Sequence, residues 1–287
     1  MPIGPLADQW LAEKPLKGKQ RLDYRRAVAK LETWMAGKSM PPTLQAITKQ
    51  IAASYRDGAF VRAGVHSRSA NKDLSALSGL WKHAERKDLI QGNPWRGQFL
   101  PQSNASSSHK RPLSSDEVKR LLAALAEPKT PMQGLLRDTV VVLACSALRV
   151  EEWATMKVAD LRDLDGALPY VVLRGTKTAS ARRDVPIHPD ILPIIRRRIP
   201  LAGPEGYLVG ELNTPPEGSA WGRGQPITKE FGRLRKRLGI DEREPGARQA
   251  NVDLHSLRRF AIASMRDAPE RGGYWLQHAD GGPASWA

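Results

Sequence analysis

A single cysteine, Cys145, stands in a chain of 287 residues, so no disulfide can form within it. It lies in the run Val-Val-Val-Leu-Ala-Cys and reads as a small buried hydrophobe rather than a nucleophile. Cysteine and histidine in metal-finger spacing are missing, and no structural metal is expected. No apolar run reaches the length of a membrane span. The N-terminus, Met-Pro-Ile-Gly-Pro-Leu-Ala-Asp, has neither a basic start nor an apolar signal core. The expectation is a cytoplasmic protein with no membrane partner. Aromatic residues are scarce at 6%, which weighs against an RNA-binding sheet with stacking platforms. Acidic residues are also few, 30 against 45 Lys and Arg, for a net charge of +15 and a pI near 10.2. The excess is spread over both halves, which points to a polyanionic partner, nucleic acid ahead of a membrane surface.

What is present fits two folded domains. Hydrophobic residues make up 40% of the chain, enough for globular cores. Residues 1–100 read as a helical domain. The first helical stretch, 5 to 36, carries Leu6, Trp10 and Leu11, then Tyr24, Val28, Leu31 and Trp34 at three- and four-residue steps. A break at Gly37 to Pro42 precedes a helix from Thr43 to Tyr55, and another helix fits Ser67 to Arg86. Residues 101–111 are polar and low in complexity and read as a linker whose Lys110 and Arg111 would lie near a polyanion. His109 reads as a solvated residue of that linker.

Residues 112–287 form the second predicted domain. Ser114 and Glu117 make a capping box, with Leu113 placed to staple onto Val118. A largely buried helix is expected from about Met132 to Ser146, then a short one carrying Glu152 just after Arg149. Val171, Val172 and Leu173, with the returning Val185-Pro-Ile187, predict a β-hairpin bearing Lys177, Arg182 and Arg183. Thr228 to Leu238 predicts a basic helix with Lys229 and Arg233, whose basic side either tracks a phosphate backbone or is simply a solvated face. A last helix carries Leu254, Leu257, Ala261, Ile262 and Met265 on an apolar stripe, with His255 and Arg258 at its rim. The fold class is mainly α with a small β-hairpin, α+β.

Three segments in order bear chemistry: Leu148-Arg149 with Glu152 three residues on, the hairpin lysine Lys177, and His255-Ser-Leu-Arg258. Together they resemble the catalytic domain of the tyrosine recombinases, the phage-integrase family. Ser69-Ala-Asn71 to Leu77, followed by the Asn93-Pro94 exit, is similar to that family's helical, SAM-like core-binding domain. The resemblance spans about residues 5 to 268. It implies a two-domain clamp on double-stranded DNA, able to assemble with further copies, that breaks and rejoins strands through a phosphotyrosine without metal or cofactor, as in DNA integration by mobile elements.

The resemblance also implies roles. Arg149 and Arg258 hold the non-bridging oxygens of the scissile phosphate, for which guanidinium forks are suited. Lys177 protonates the leaving 5′ oxygen, His255 accepts a proton, and Glu152 orients His255 or Arg149. Apart from the resemblance, the charge and placement of Arg182, Arg183, Lys110, Arg111, Lys229 and Arg233 make them the expected contacts to a DNA backbone. The family's nucleophilic tyrosine follows the second arginine by roughly thirty residues. Here Tyr274 comes 16 residues after Arg258. Leu276-Gln277-His278 echoes the turn that precedes the nucleophile, but nine residues beyond His278 stands Ala287. From about residue 268 the chain departs from the family's pattern. Two readings stay open: a strand-cleaving recombinase, and a DNA-binding remnant without the nucleophile.

Overall fold

The computed structural model describes residues 1–16, 18–101, 110–174, 182–216, 219, 221–243 and 250–267. The chain divides into two compact units, Met1–Ser107 with Pro216–Trp221, and Ser108–Pro215 with Gly222–Ala287.

The first unit is helical: α1 Ile3–Glu13, α2 Gly18–Ala36, α3 Lys49–Arg56 and α4 Ser67–Arg86. The predicted helix over 5 to 36 is two helices. Pro15 cannot continue α1 and pushes Lys14 into extended backbone, φ −97° and ψ 135°. The helix expected from Thr43 begins later. Residues Leu44–Ala46 form one 3₁₀ turn, and Thr48 then caps α3 by accepting from the Ile51 N–H at 3.3 Å. A π turn, Asp57–Val61, extends that helix past Gly58. The core is built from aromatic rings. Tyr55 and Trp81 each meet Trp95 edge-on, with centroids 5.8 and 5.5 Å apart. Asn71 exchanges two hydrogen bonds with the backbone of Leu100, at 2.7 and 2.8 Å, and so ties the end of the unit to α4.

The second unit is organised around α6, Pro131–Ser146, against which α5 (Ser115–Ala124), α7 (Val150–Ala154), α9 (Gln225–Arg237) and α10 (His255–Asp267) all pack. Leu135, Leu136, Val140, Val142 and Leu143 on α6 are buried, each such side chain contributing about 1.5–3 kcal/mol. The capping box of Ser114 and Glu117 forms as the sequence predicts. A short strand, β1 Leu161–Arg162, joins the predicted hairpin of β2 Tyr170–Arg174 and β3 Arg182–Pro186 in an antiparallel sheet ordered β1-β2-β3. Two residues are too few for a period-2 pattern to announce it. Helix α8 is Leu192–Arg198. Helix α9 starts at Gln225 rather than Thr228, because Pro226 suits a first turn.

Along α10, Leu257 and Ala261 are buried while Ile262 is 40% exposed. Ile262 thus lies off the apolar stripe in which it was expected. It stands one position, about 100° of helical rotation, beyond Ala261.

Candidate active site

Helix α6 ends at Ala147 in the left-handed region, φ 52° and ψ 25°. A residue with a Cβ is disfavoured there by roughly 1–2 kcal/mol. The turn sends Arg149 out at the head of α7 in extended backbone, φ −82° and ψ 150°. Glu152, one turn on, folds back. One carboxylate oxygen accepts the backbone N–H of Arg149 at 2.8 Å, and the other accepts its guanidinium at 2.8 Å. The back of α7 is fixed as firmly. Glu151 accepts the backbone N–H groups of Arg223 and Gly224 at 2.8 and 3.0 Å. A Cβ at position 222 would lie 2.3 Å from that carboxylate and would push it off its two N–H donors.

Glu152 has a second cationic partner. Arg183 on β3 donates to both of its oxygens, at 3.1 and 3.3 Å. Burial alone would raise the Glu152 carboxyl. The Arg149 N–H and the two guanidiniums outweigh it and hold the group below the usual carboxylate range. From α10, the Arg258 guanidinium reaches back to donate to the carbonyl of Ala147. Partial burial, then the positive charges of Arg149 and Arg183, lower its affinity for its proton, with Glu152 opposing. It remains a cation at neutral pH. His255 stands at the exposed rim. Desolvation of its ring, then Arg259, Arg258 and Arg149, push it below the ordinary histidine value against the pull of Asp253, so the ring is neutral at pH 7.

Residues from α7, β3 and α10 therefore converge on one patch. Three guanidiniums against one carboxylate leave about two positive charges among the described residues. A phosphodiester carries one negative charge, and more gathers on its equatorial oxygens during phosphoryl transfer. The patch offers fixed donors, a net charge of the right sign and a neutral imidazole.

The other expected residues are placed as follows. Arg149, Glu152, His255 and Arg258 come together. Arg183, expected only as a backbone contact, joins them. Its signal in the sequence was no more than a second arginine beside Arg182, and the register that pairs Leu173 with Arg183 decides where it sits. Arg182 pairs with Arg174 in the sheet. Lys110 donates to the Ala250 carbonyl at 2.5 Å, and Arg111 binds Glu117 at 2.6 and 2.7 Å and Glu242 at 3.2 Å. Both charges are committed inside the second unit. Lys229 and Arg233 are exposed on α9, with Arg233 also 2.9 Å from Glu230. Lys177, Tyr274, His278 and His109 lie outside the described residues. Cys145 is half-buried, its thiol pushed up to about 12 by burial and then by Asp190, which fits a poor nucleophile. No described helix is long and apolar enough to cross a membrane.

No family model matches the chain. Among curated proteins, it is 27% identical over 229 residues to a Mycobacterium tuberculosis protein assigned as the prophage phiRv2 integrase, covering 75% of this chain and 57% of that one. It is 29% identical over 164 residues to the tyrosine recombinase XerD of Pseudomonas aeruginosa, covering 55% of this chain and 53% of the other. The chain thus spans little more than half the length of these relatives. Among solved structures, the Tn1549 transposon integrase in complex with transposon right end DNA superposes with a TM-score of 0.65 at 18% identity, over 100% of this chain and 96% of that one. A lambda integrase tetramer bound to a Holliday junction gives 0.65 at 18%, over 99% and 79%. These likenesses establish the fold.

Proposed function

We propose that this chain, a relative of the tyrosine recombinases that carries their fold, binds duplex DNA and cleaves and rejoins its strands at a specific site. The single observation that supports this most is the convergence of Arg149, Glu152, Arg183, His255 and Arg258 on one patch with about two excess positive charges.

In this reading Arg149 and Arg258 bind the non-bridging oxygens of the scissile phosphate. Glu152 holds Arg149 in place, and Arg183 holds Glu152. A tyrosine oxygen attacks phosphorus. The P–O5′ bond breaks, the DNA remains attached through a 3′-phosphotyrosyl bond, and Lys177 delivers a proton to the leaving 5′ oxygen. His255, neutral at pH 7, takes the proton that the attacking hydroxyl gives up. Attack by a 5′ hydroxyl reverses the step and rejoins a strand. Copies of the chain assemble on the DNA, as the lambda integrase tetramer bound to a Holliday junction does.

The test is a covalent adduct between the full chain and duplex DNA that survives denaturation. Arg258→Ala is expected to lower adduct formation by about a hundredfold or more, while duplex affinity changes by only a few-fold. If the adduct forms as well as before, the site is misassigned. Tyr274→Phe then asks whether the tail supplies the nucleophile: loss of the adduct with DNA affinity kept assigns it, and a surviving adduct rules Tyr274 out. A wild-type chain that binds DNA but never forms the adduct is the remnant.

A further inference from the structure

The penultimate residue of α6 faces the turn that leads from β3 into α8. There Cys145, His188 and Asp190 each present a ligand atom, and the three atoms lie within 4.8 Å of one another. His188 is buried, and its carbonyl accepts the N–H groups of Ile191 and Leu192 at 2.8 and 3.1 Å. The backbone N–H of Asp190 donates to His188 Nδ1 at 3.1 Å, which makes Nδ1 the nitrogen with the lone pair. An Asp190 carboxylate oxygen is 3.6 Å from that nitrogen. Cys145 and Asp190 also line a cavity of about 1170 Å³ that runs past Asp138, Arg197 and Phe260.

We propose that Cys145, His188 and Asp190 form a binding site for a divalent cation of the zinc class. A thiolate, an imidazole and a carboxylate are the three donor types that zinc takes, and sulfur with nitrogen disfavours magnesium and calcium. Zinc bonds of about 2.0–2.3 Å put tetrahedral ligand atoms roughly 3.4–3.6 Å apart. The His188–Asp190 pair already has that separation, and Cys145 has at most about 1 Å to close, within the reach of a side-chain rotation. The ion would replace the Asp190 N–H at Nδ1 and displace the thiol proton. Its fourth position would open to the cavity, where water or another ligand completes it. The site stands two residues before Ala147 and four before Arg149. A bound ion would tie the end of α6 to the β3–α8 turn and stiffen the segment that presents the arginine. None of this depends on the recombinase reading.

The uniqueness of Cys145 makes the test clean, because a sulfur-to-cobalt charge-transfer band in this chain can come from that residue alone. The full chain is titrated with Co²⁺ and followed by absorption, then with Zn²⁺ in competition with a chromophoric chelator. The expected result is one equivalent bound per chain, a charge-transfer band absent from Cys145→Ser, and zinc affinity lowered about tenfold or more in Asp190→Asn. Asp190 has an exposed side chain, so that variant keeps the fold even if His188→Gln does not. A wild-type chain without the band, or a band and zinc affinity unchanged in Asp190→Asn, overturns the proposal.

Discussion

The first unit buries its bulk as rings, and the second buries charge. In the first, Trp10, Trp81, Trp95 and Tyr55 are enclosed, and among the described residues their polar atoms find no hydrogen-bond partner. In the second, Trp153 donates to Thr139 at 3.0 Å. Arg198, 4% exposed, binds Asp138 at 2.7 Å and Glu211 at 2.9 Å. Arg223, also buried, donates to the carbonyls of Ala154 and Val209 and to Thr214, and lies 4.0 Å over the Tyr207 ring. Apolar area is indifferent to small rotations, whereas paired charges in low dielectric fix direction. The unit that brings Arg149, Glu152, Arg183, His255 and Arg258 onto one patch is the one that spends its interior on directional bonds.

The contrast can be broken first by truncation. Trp81→Ala should cost about 3–5 kcal/mol by cavity formation, and Arg198→Ala less, about 2–3 kcal/mol, because Asp138 keeps Arg197 at 2.6 Å when its buried partner is removed. Hydrogen exchange, read separately on peptides of each unit, locates the loss. Arg198→Met combined with Asp138→Leu should recover part of the second loss, since the two buried charges go together and the groups left behind, Arg197 and Glu211, both reach solvent. No recovery would mean that the pair does more than neutralise itself. A finer comparison is Trp153→Phe with Trp81→Phe. Both remove similar area, but the first also deletes a buried hydrogen bond and should cost about 1 kcal/mol more in chemical denaturation. Equal losses would erase the distinction between the two cores. Smallest is Ala147→Gly, which relieves the left-handed turn and should stabilise the second unit by about 0.5–1 kcal/mol. A destabilised variant would show that the methyl group packs usefully enough to outweigh its strain.

Much of the fold was legible because it rests on local rules. The capping box of Ser114 and Glu117, the helix from Ser67 to Arg86 and the β2–β3 hairpin follow from spacing and propensity alone. Where those rules were read too coarsely, as across Lys14-Pro15 and at Thr48, one helix became two pieces. That Arg149, Glu152, His255 and Arg258 would come together was legible only as an ordered pattern, because no single piece is specific. The place of Arg183 beside Glu152 and the meeting of Cys145, His188 and Asp190 were not legible. Each depends on a partner more than 30 positions away in the sequence, and the register of a strand or the docking of a turn decides it.

The bond from Arg258 to the Ala147 carbonyl spans 111 positions in the chain. Its consequence lies in the order of events during synthesis. A chain emerges from the ribosome at about 5–20 residues per second, so α6 and α7 are exposed for some seconds before α10 exists. Until then the strained turn has no guanidinium on its carbonyl, and Arg149 and Glu152 stand without Arg258 beside them. Closing so long a loop is slow relative to forming the helices themselves. The patch is therefore completed only when α10 has been made and docks on α6.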